Sequence, residues 1–117
     1  MNIEEQLQQD LKAAMRAGEK LRVGVIRMTL AALKNAQMAL VKNAYDAVSP
    51  EELEPDRPPI TAALSEAQMQ ETVTKEVKRR REAADIYRKG KREDLAATEE
   101  AEAAILEVYL PRQLTAD

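Results

Sequence analysis

Helix breakers divide this sequence into four segments, and that division limits the possible folds more than any other feature. Gly18, a proline cluster between residues 50 and 59, Gly90 and Pro111 stand at the boundaries. Within the segments, apolar residues recur at the spacing of an amphipathic α-helix, and no segment alternates as a β-strand does. The composition, rich in Ala, Glu, Lys, Leu and Arg, also favours helices. The sequence therefore predicts one all-α domain of four main helices, arranged as a bundle of helical hairpins.

Capping signals indicate where the first and third helices begin. Asn2 followed by Glu5 predicts a capping box, and Gly18 suits the left-handed residue just past the end of that helix. Ser65 followed by Gln68 predicts a second capping box, which opens the third helix. We expect the second helix to run from residue 20 to about residue 44, and the third to run to Arg88 or Lys89, with Gly90 terminating it.

The predicted core is aliphatic, because the chain has no Phe and no Trp. The wide stripe on the second helix predicts contact with more than one neighbour, and Gly24 predicts a close approach there. The fourth helix is predicted to begin near Asp94 as its cap. The predicted inward residues are Ile3, Leu7, Leu11, Ala14 and Met15; Leu21, Val25, Ile26, Met28, Leu30, Ala32, Leu33, Ala36 and Leu40; Met69, Val73, Val77, Arg80 or Ala84, and Tyr87; and Leu95, Ala101, Ala104, Ile105 and Val108, with Leu106 and Tyr109 alongside.

The segment 46–63 interrupts the helical pattern with prolines and acidic residues. Four prolines fall between residues 50 and 59, among Glu51, Glu52, Glu54 and Asp56. We expect an exposed acidic connection between the second and third helices, with a single helical turn after Ser49. Such a connection is long for a helical bundle.

Most catalytic and metal-binding chemistry is excluded by residues that the chain lacks. With no Cys and no His, it has no thiolate nucleophile, imidazole base or Cys/His metal site. Its three glycines do not form a phosphate loop. The sequence therefore predicts no catalytic residue, no metal and no cofactor. No apolar run reaches the roughly 18 residues of a membrane helix, and the acidic N-terminus is unlike a signal peptide, so we predict a soluble, cytoplasmic protein.

The charge is divided sharply between the third and fourth helices. Nine of the 18 basic residues lie between Lys75 and Arg92, whereas the next fifteen residues carry six acids and no base. One interpretation is that the basic helix pairs with the acidic helix across a hairpin, each surface pair contributing about 0–1 kcal/mol. The other is contact with phosphates or RNA. The candidate nucleic-acid-binding residues are Lys75, Lys78, Arg79, Arg81, Arg88, Lys91 and Arg92.

Motifs along residues 3–114 resemble the YqeY-like family, also called GatB/YqeY domain proteins. The most specific is the ending, in which two glutamates three residues apart precede Tyr-Leu-Pro-Arg-Gln-Leu. The matching residues are Leu7, Asp10-Leu11-Lys12, Ala14-Met15-Arg16, Val25-Ile26-Arg27-Met28, Ala32-Leu33-Lys34, Leu64-Ser65-Glu66, Lys75-Glu76-Val77-Lys78-Arg79-Arg80, Tyr87, Gly90-Lys91-Arg92-Glu93-Asp94-Leu95, Glu99, Glu102, Ile105-Leu106 and Tyr109-Leu110-Pro111-Arg112-Gln113-Leu114.

The resemblance implies an all-α N-terminal domain spanning 1–114, with residues 46–63 as an extended connection. Such proteins normally continue into a small helical tail similar to the C-terminal domain of GatB, a subunit of the glutamine-dependent tRNA amidotransferase. We expect that tail to be absent here, with residues 115–117 as its start or as a linker. The resemblance supplies no catalytic residues.

Three functional hypotheses follow. The favoured one is a non-enzymatic helical module associated with tRNA or a translation-associated protein through its basic helix. The second is a protein–protein adaptor with no nucleic-acid contact. The third is an amidotransferase-related activity, a carbon–nitrogen ligase that uses glutamine as amido donor.

Overall fold

The computed structural model describes residues 1–52 and 54–111. Within them the chain forms four α-helices, α1 (Ile3–Ala17), α2 (Lys20–Asp46), α3 (Glu66–Lys89) and α4 (Glu93–Glu107), with a short 3-10 turn at Pro50–Glu52 before α3. This described part contains no strand, which confirms the predicted all-α bundle. The last three residues of the predicted domain and the predicted tail start at 115–117 lie outside it.

Two helical hairpins make up the bundle. α1 packs mainly against α2 and α3 mainly against α4, while α2 also contacts α3 and α4. The core is aliphatic as predicted, and its largest fully buried side chains include Leu7, Ile26, Leu33 and Leu106. In the described part of the chain, no helix combines the length and the apolarity needed to cross a bilayer.

The predicted caps of α1 and α3 are confirmed. The Asn2 side chain accepts a hydrogen bond from the Glu5 backbone N–H at 2.8 Å, and the Ser65 hydroxyl accepts one from the Gln68 backbone N–H at 3.1 Å. In each box the side chain of the later residue accepts a second hydrogen bond from the backbone N–H of the cap residue. Gly18 follows α1 in the left-handed conformation, at φ 70°.

The start of α4 differs from the prediction. Arg92 occupies the cap position without a side-chain capping bond, and Asp94 lies inside the first turn. An acidic residue there is still favourable, because it faces the positive end of the helix dipole. The hydrogen bonds from Arg92 hold the pKa of Asp94 below its usual range.

Two predicted apolar stripes were partly wrong. Met15 on α1 is 52% exposed, and Leu21 and Met28 on α2 are 45% and 53% exposed, so both helices bury a narrower face than the sequence suggests. Gly24 meets no neighbour within 4 Å, so it does not mark a close approach.

In α4 the buried positions are Ala96, Ala103 and Leu106, whereas the predicted Ala101, Ala104 and Val108 are exposed. Alanines lie on both faces of this helix and are only weakly apolar. The spacing of apolar residues therefore does not show which face of α4 is buried.

Candidate functional site

Seven candidate cations lie on α3 and on the turn that follows it, and the fold divides them into three sets. Lys75, Lys78 and Arg79, here called the outward cations, point away from the buried face of α3; their side chains are 75%, 76% and 65% exposed. Together with Arg81 they cover an arc of about 160° around the helix, at about 100° per residue. The outward cations and Arg81 therefore share one broad side of α3.

Each outward cation has a carboxylate partner on its own helix. Lys75 Nζ lies 3.3 Å from Glu71, and Lys78 Nζ lies 4.0 Å from Glu82. Exposed pairs at this spacing stabilise a helix by only about 0.2–0.5 kcal/mol each. Exchanging them for an external anion therefore costs little. Arg79 shares the carboxylate of Glu76 with a buried arginine.

Arg81 and Arg88, here called the hairpin arginines, bind carboxylates of α4. Arg81 pairs with Glu107 at 2.5 Å, and Arg88 pairs with Glu100 at 2.9 Å and with Glu93 at 3.2 Å. The hydrogen bond to Glu100 is the main reason that the pKa of Arg88 is raised. These two arginines therefore agree with the interpretation in which the basic third helix pairs with the acidic fourth helix.

The turn between α3 and α4 carries the other two candidates. Arg92 forms a two-armed pair with Asp94, at 3.1 and 3.2 Å. Lys91 forms no ion pair with any described residue, and it has a left-handed backbone at φ 59°. The neighbouring Gly90 has φ −87°, so the left-handed position of this turn falls on the lysine.

A buried charged cluster lies beneath the outward cations, and sequence reasoning did not identify its partners. Arg80 is 4% exposed and Glu76 is 7% exposed. Arg80 Nη1 donates to the Glu76 carboxylate at 3.2 Å, and Arg80 Nε lies 3.7 Å from Glu102 without a hydrogen-bond partner among the described residues. Burial, reinforced by Glu99, raises the pKa of Glu102. The spacing of Glu76 and Arg80, four residues apart, was the available signal.

A second polar cluster ties the end of α4 to the other hairpin. The buried Tyr109 hydroxyl donates to Asp10 on α1, and Asp10 lies 3.8 Å from Arg22 on α2. Burial and the bond to Asp10 raise the pKa of Tyr109 to about 12. The Tyr109 hydroxyl thereby joins two residues that lie 99 positions apart in the sequence.

A groove of about 830 Å³ opens where α4 ends beside α3. Val77, Val108, Leu110 and Pro111 give it an apolar lining. The Arg81–Glu107 pair forms one wall, and Lys78, Glu82 and Asp85 also line it. Among the described residues, no group of three or more acidic side chains is placed to hold a metal ion.

Comparison with protein families gives a match along almost the whole sequence. The model of the YqeY-like protein family matches residues 4–117, nearly the whole chain. The match includes the outward cations, both polar clusters and the groove. No curated protein matches the sequence.

Proposed function

This chain belongs to the YqeY-like protein family, and we propose that it acts as a non-enzymatic helical module that associates with tRNA or with translation. The outward cations and the turn residues Lys91 and Arg92 contact phosphates in this proposal. It places the protein in the cytoplasm, where translation takes place.

One observation carries the proposal. Lys75, Lys78 and Arg79 stand together on an exposed face of α3, and among the described residues the ion-pair partners of Lys75 and Lys78 lie on their own helix. A phosphate can replace such a partner with little loss of folding free energy, because exposed same-helix pairs contribute so little. Binding then gains from the release of the counterions condensed on the nucleic acid.

The same surface argues for backbone contact rather than recognition of bases. Proteins that stack bases present exposed aromatic rings between their cations. Tyr87 is the one aromatic residue on α3, and it is half-buried against the bundle. The proposed interaction therefore depends on charge and shape, and we expect weak sequence preference and strong salt dependence.

In this proposal the hairpin arginines stabilise the contact between α3 and α4 and do not bind RNA. Arg81 and Arg88 already bind carboxylates across the α3–α4 interface, so their release for RNA would remove contacts between the two helices. The same ion pairs favour the second candidate function, a protein–protein adaptor without nucleic-acid contact, because they use part of the basic charge internally.

The test is binding of tRNA, followed by fluorescence anisotropy across a salt series. Replacing Lys75, Lys78 and Arg79 by glutamine is expected to weaken binding at low salt by at least tenfold, the loss of three phosphate contacts. A matched control replaces three exposed lysines elsewhere, Lys12, Lys34 and Lys42, and should retain most of the affinity.

Two results would contradict the proposal. One is no tRNA binding by the unaltered chain at low salt, which would favour the adaptor. The other is an equal loss in the control variant, which would mean that net charge alone drives binding. Glutamine-dependent amide transfer by the isolated chain would support the amidotransferase-related alternative instead.

A further inference from the structure

The groove beside the end of α4 follows one side of α3. Along α3 it is lined by residues that recur every three or four positions: Thr74, Lys78, Arg81 and Asp85. The groove therefore extends over about three turns of the helix, roughly 16 Å at 1.5 Å per residue. Its opposite side is formed by Glu107, Val108, Leu110 and Pro111. An elongated space beside a helix has a shape that suits a second helix.

Apolar surface lines this space. Val77 is 7% exposed and belongs to the core, while Val108, on the opposite side of the groove, is 75% exposed. Leu110 lies between them in depth, partly buried and packed against the core. Covering an aliphatic side chain as exposed as Val108 gains on the order of 1 kcal/mol. The exposed side chain of Val108 therefore favours a partner with an apolar surface.

The charges around the groove leave a negative surplus. Lys78 pairs with Glu82, and Arg81 pairs with Glu107, so these four largely cancel. Asp85 also lines the groove and forms no ion pair with any described residue. The last turn of α4 contains no basic residue to offset the negative end of its dipole. A positively charged side chain on the partner would therefore complement Asp85 and the negative end of the α4 dipole.

We propose that this groove binds an amphipathic helix of a partner protein, with its apolar face on Val77, Val108 and Leu110 and a Lys or Arg beside Asp85. Recognition of this kind places an apolar helix face in a groove and uses a few charges to fix its register. The inference goes beyond contact with RNA, because the apolar lining and Asp85 are not among the proposed phosphate contacts, of which Lys78 alone also lines the groove. A protein that binds both would bring an RNA and a helical partner together.

The probe is a fluorescein-labelled helical peptide of about 15 residues, with a leucine stripe and one arginine, and a twin with glutamate in place of the arginine. The unaltered chain should bind the arginine peptide saturably. Val108→Glu should weaken this binding at least tenfold. Asp85→Lys should weaken the arginine peptide and strengthen the glutamate peptide.

The matched control is Ile86→Glu, which changes an apolar residue of α3 that is 67% exposed and does not line the groove. It should leave peptide binding unchanged, and Val108→Glu should leave tRNA binding unchanged. An equal loss in both glutamate variants, or no reversal of peptide preference in Asp85→Lys, would overturn the proposal. So would a dimer of the unaltered chain that Val108→Glu dissolves, because the occupant would then be a second copy.

Discussion

At the scale of single residues, the buried charges do more for the fold than the exposed ones. Arg80 and Glu76 are both almost wholly buried and bind each other. Removing one member of such a pair leaves the other charged and without its partner in a poorly solvated site, which costs about 3–5 kcal/mol. Replacing both by apolar residues of similar size is often neutral.

We therefore expect Arg80→Met to lower the free energy of unfolding by about 3 kcal/mol, because it removes the buried partner of Glu76, leaves that carboxylate with the exposed Arg79, and takes a cation from Glu102. The double variant Arg80→Met with Glu76→Met should recover much of that loss. Urea unfolding followed by circular dichroism measures both, and Arg81→Met, an exposed neighbour, should change stability by less than about 1 kcal/mol. If the double variant is less stable than Arg80→Met, the buried pair is net stabilising and this argument is wrong.

Tyr109 should make stability depend on alkaline pH. Its folded pKa of about 12 lies above the ordinary value of 10.0, so its stabilising effect is complete below pH 10 and is lost as the pH rises towards 12. Tyr109→Phe should cost about 1–2 kcal/mol at neutral pH, since it removes a hydrogen bond to a carboxylate.

The stability difference between the Tyr109→Phe variant and the unaltered chain should shrink between pH 10 and 12, as measured by urea unfolding at a series of pH values. Tyr45→Phe is the control and should keep the alkaline loss of the unaltered chain. A constant difference between the Tyr109→Phe variant and the unaltered chain across this range would show that the phenol does not control the alkaline loss.

At the scale of helices, sequence patterns predicted the elements better than they predicted the faces. Strong local signals, such as the capping boxes at Asn2 and Ser65, correctly placed two helix starts. The buried face of α4 was predicted only in part: Leu106 was named, but Ala96 and Ala103 were not, because alanines lie on all sides of this helix.

Polar contacts between residues far apart in the sequence could not be predicted from the spacing of apolar residues. Asp10 and Tyr109 are joined only by the packing of α4 against the first hairpin. The cationic candidates were recognisable from the sequence as a group, but their division was not. Only the packing of α3 on α4 shows that Arg81 and Arg88 face carboxylates, whereas Lys75 and Lys78 face solvent.

Two glycines allow backbone effects to be separated from packing. An added Cβ would meet nothing within 4 Å at either Gly18 or Gly24, but Gly18 has a left-handed backbone and Gly24 lies inside α2. Gly18→Ala should therefore destabilise the protein by about 1 kcal/mol, and Gly24→Ala should stabilise it by about 0.5–1 kcal/mol. Thermal unfolding measures both shifts. Shifts of the same sign would mean that backbone conformation does not decide the effect.

At the scale of the molecule, one hairpin serves two purposes. Its two helices are joined by the buried Arg80 cluster and by the partly exposed hairpin arginines. Its outer face presents cations whose own pairs are weak. The chain carries a net charge of −3, so attraction to RNA has to come from this local arrangement.

The most direct test compares two variants that each lose two positive charges. One replaces Lys75 and Lys78 by glutamine, and the other replaces Arg81 and Arg88. For each we would measure how the logarithm of tRNA affinity falls with the logarithm of salt concentration. We expect this slope to become shallower by about 1.5–2 in the lysine variant and to stay nearly unchanged in the arginine variant. A shallower slope in the arginine variant, with no change in the lysine variant, would contradict this expectation.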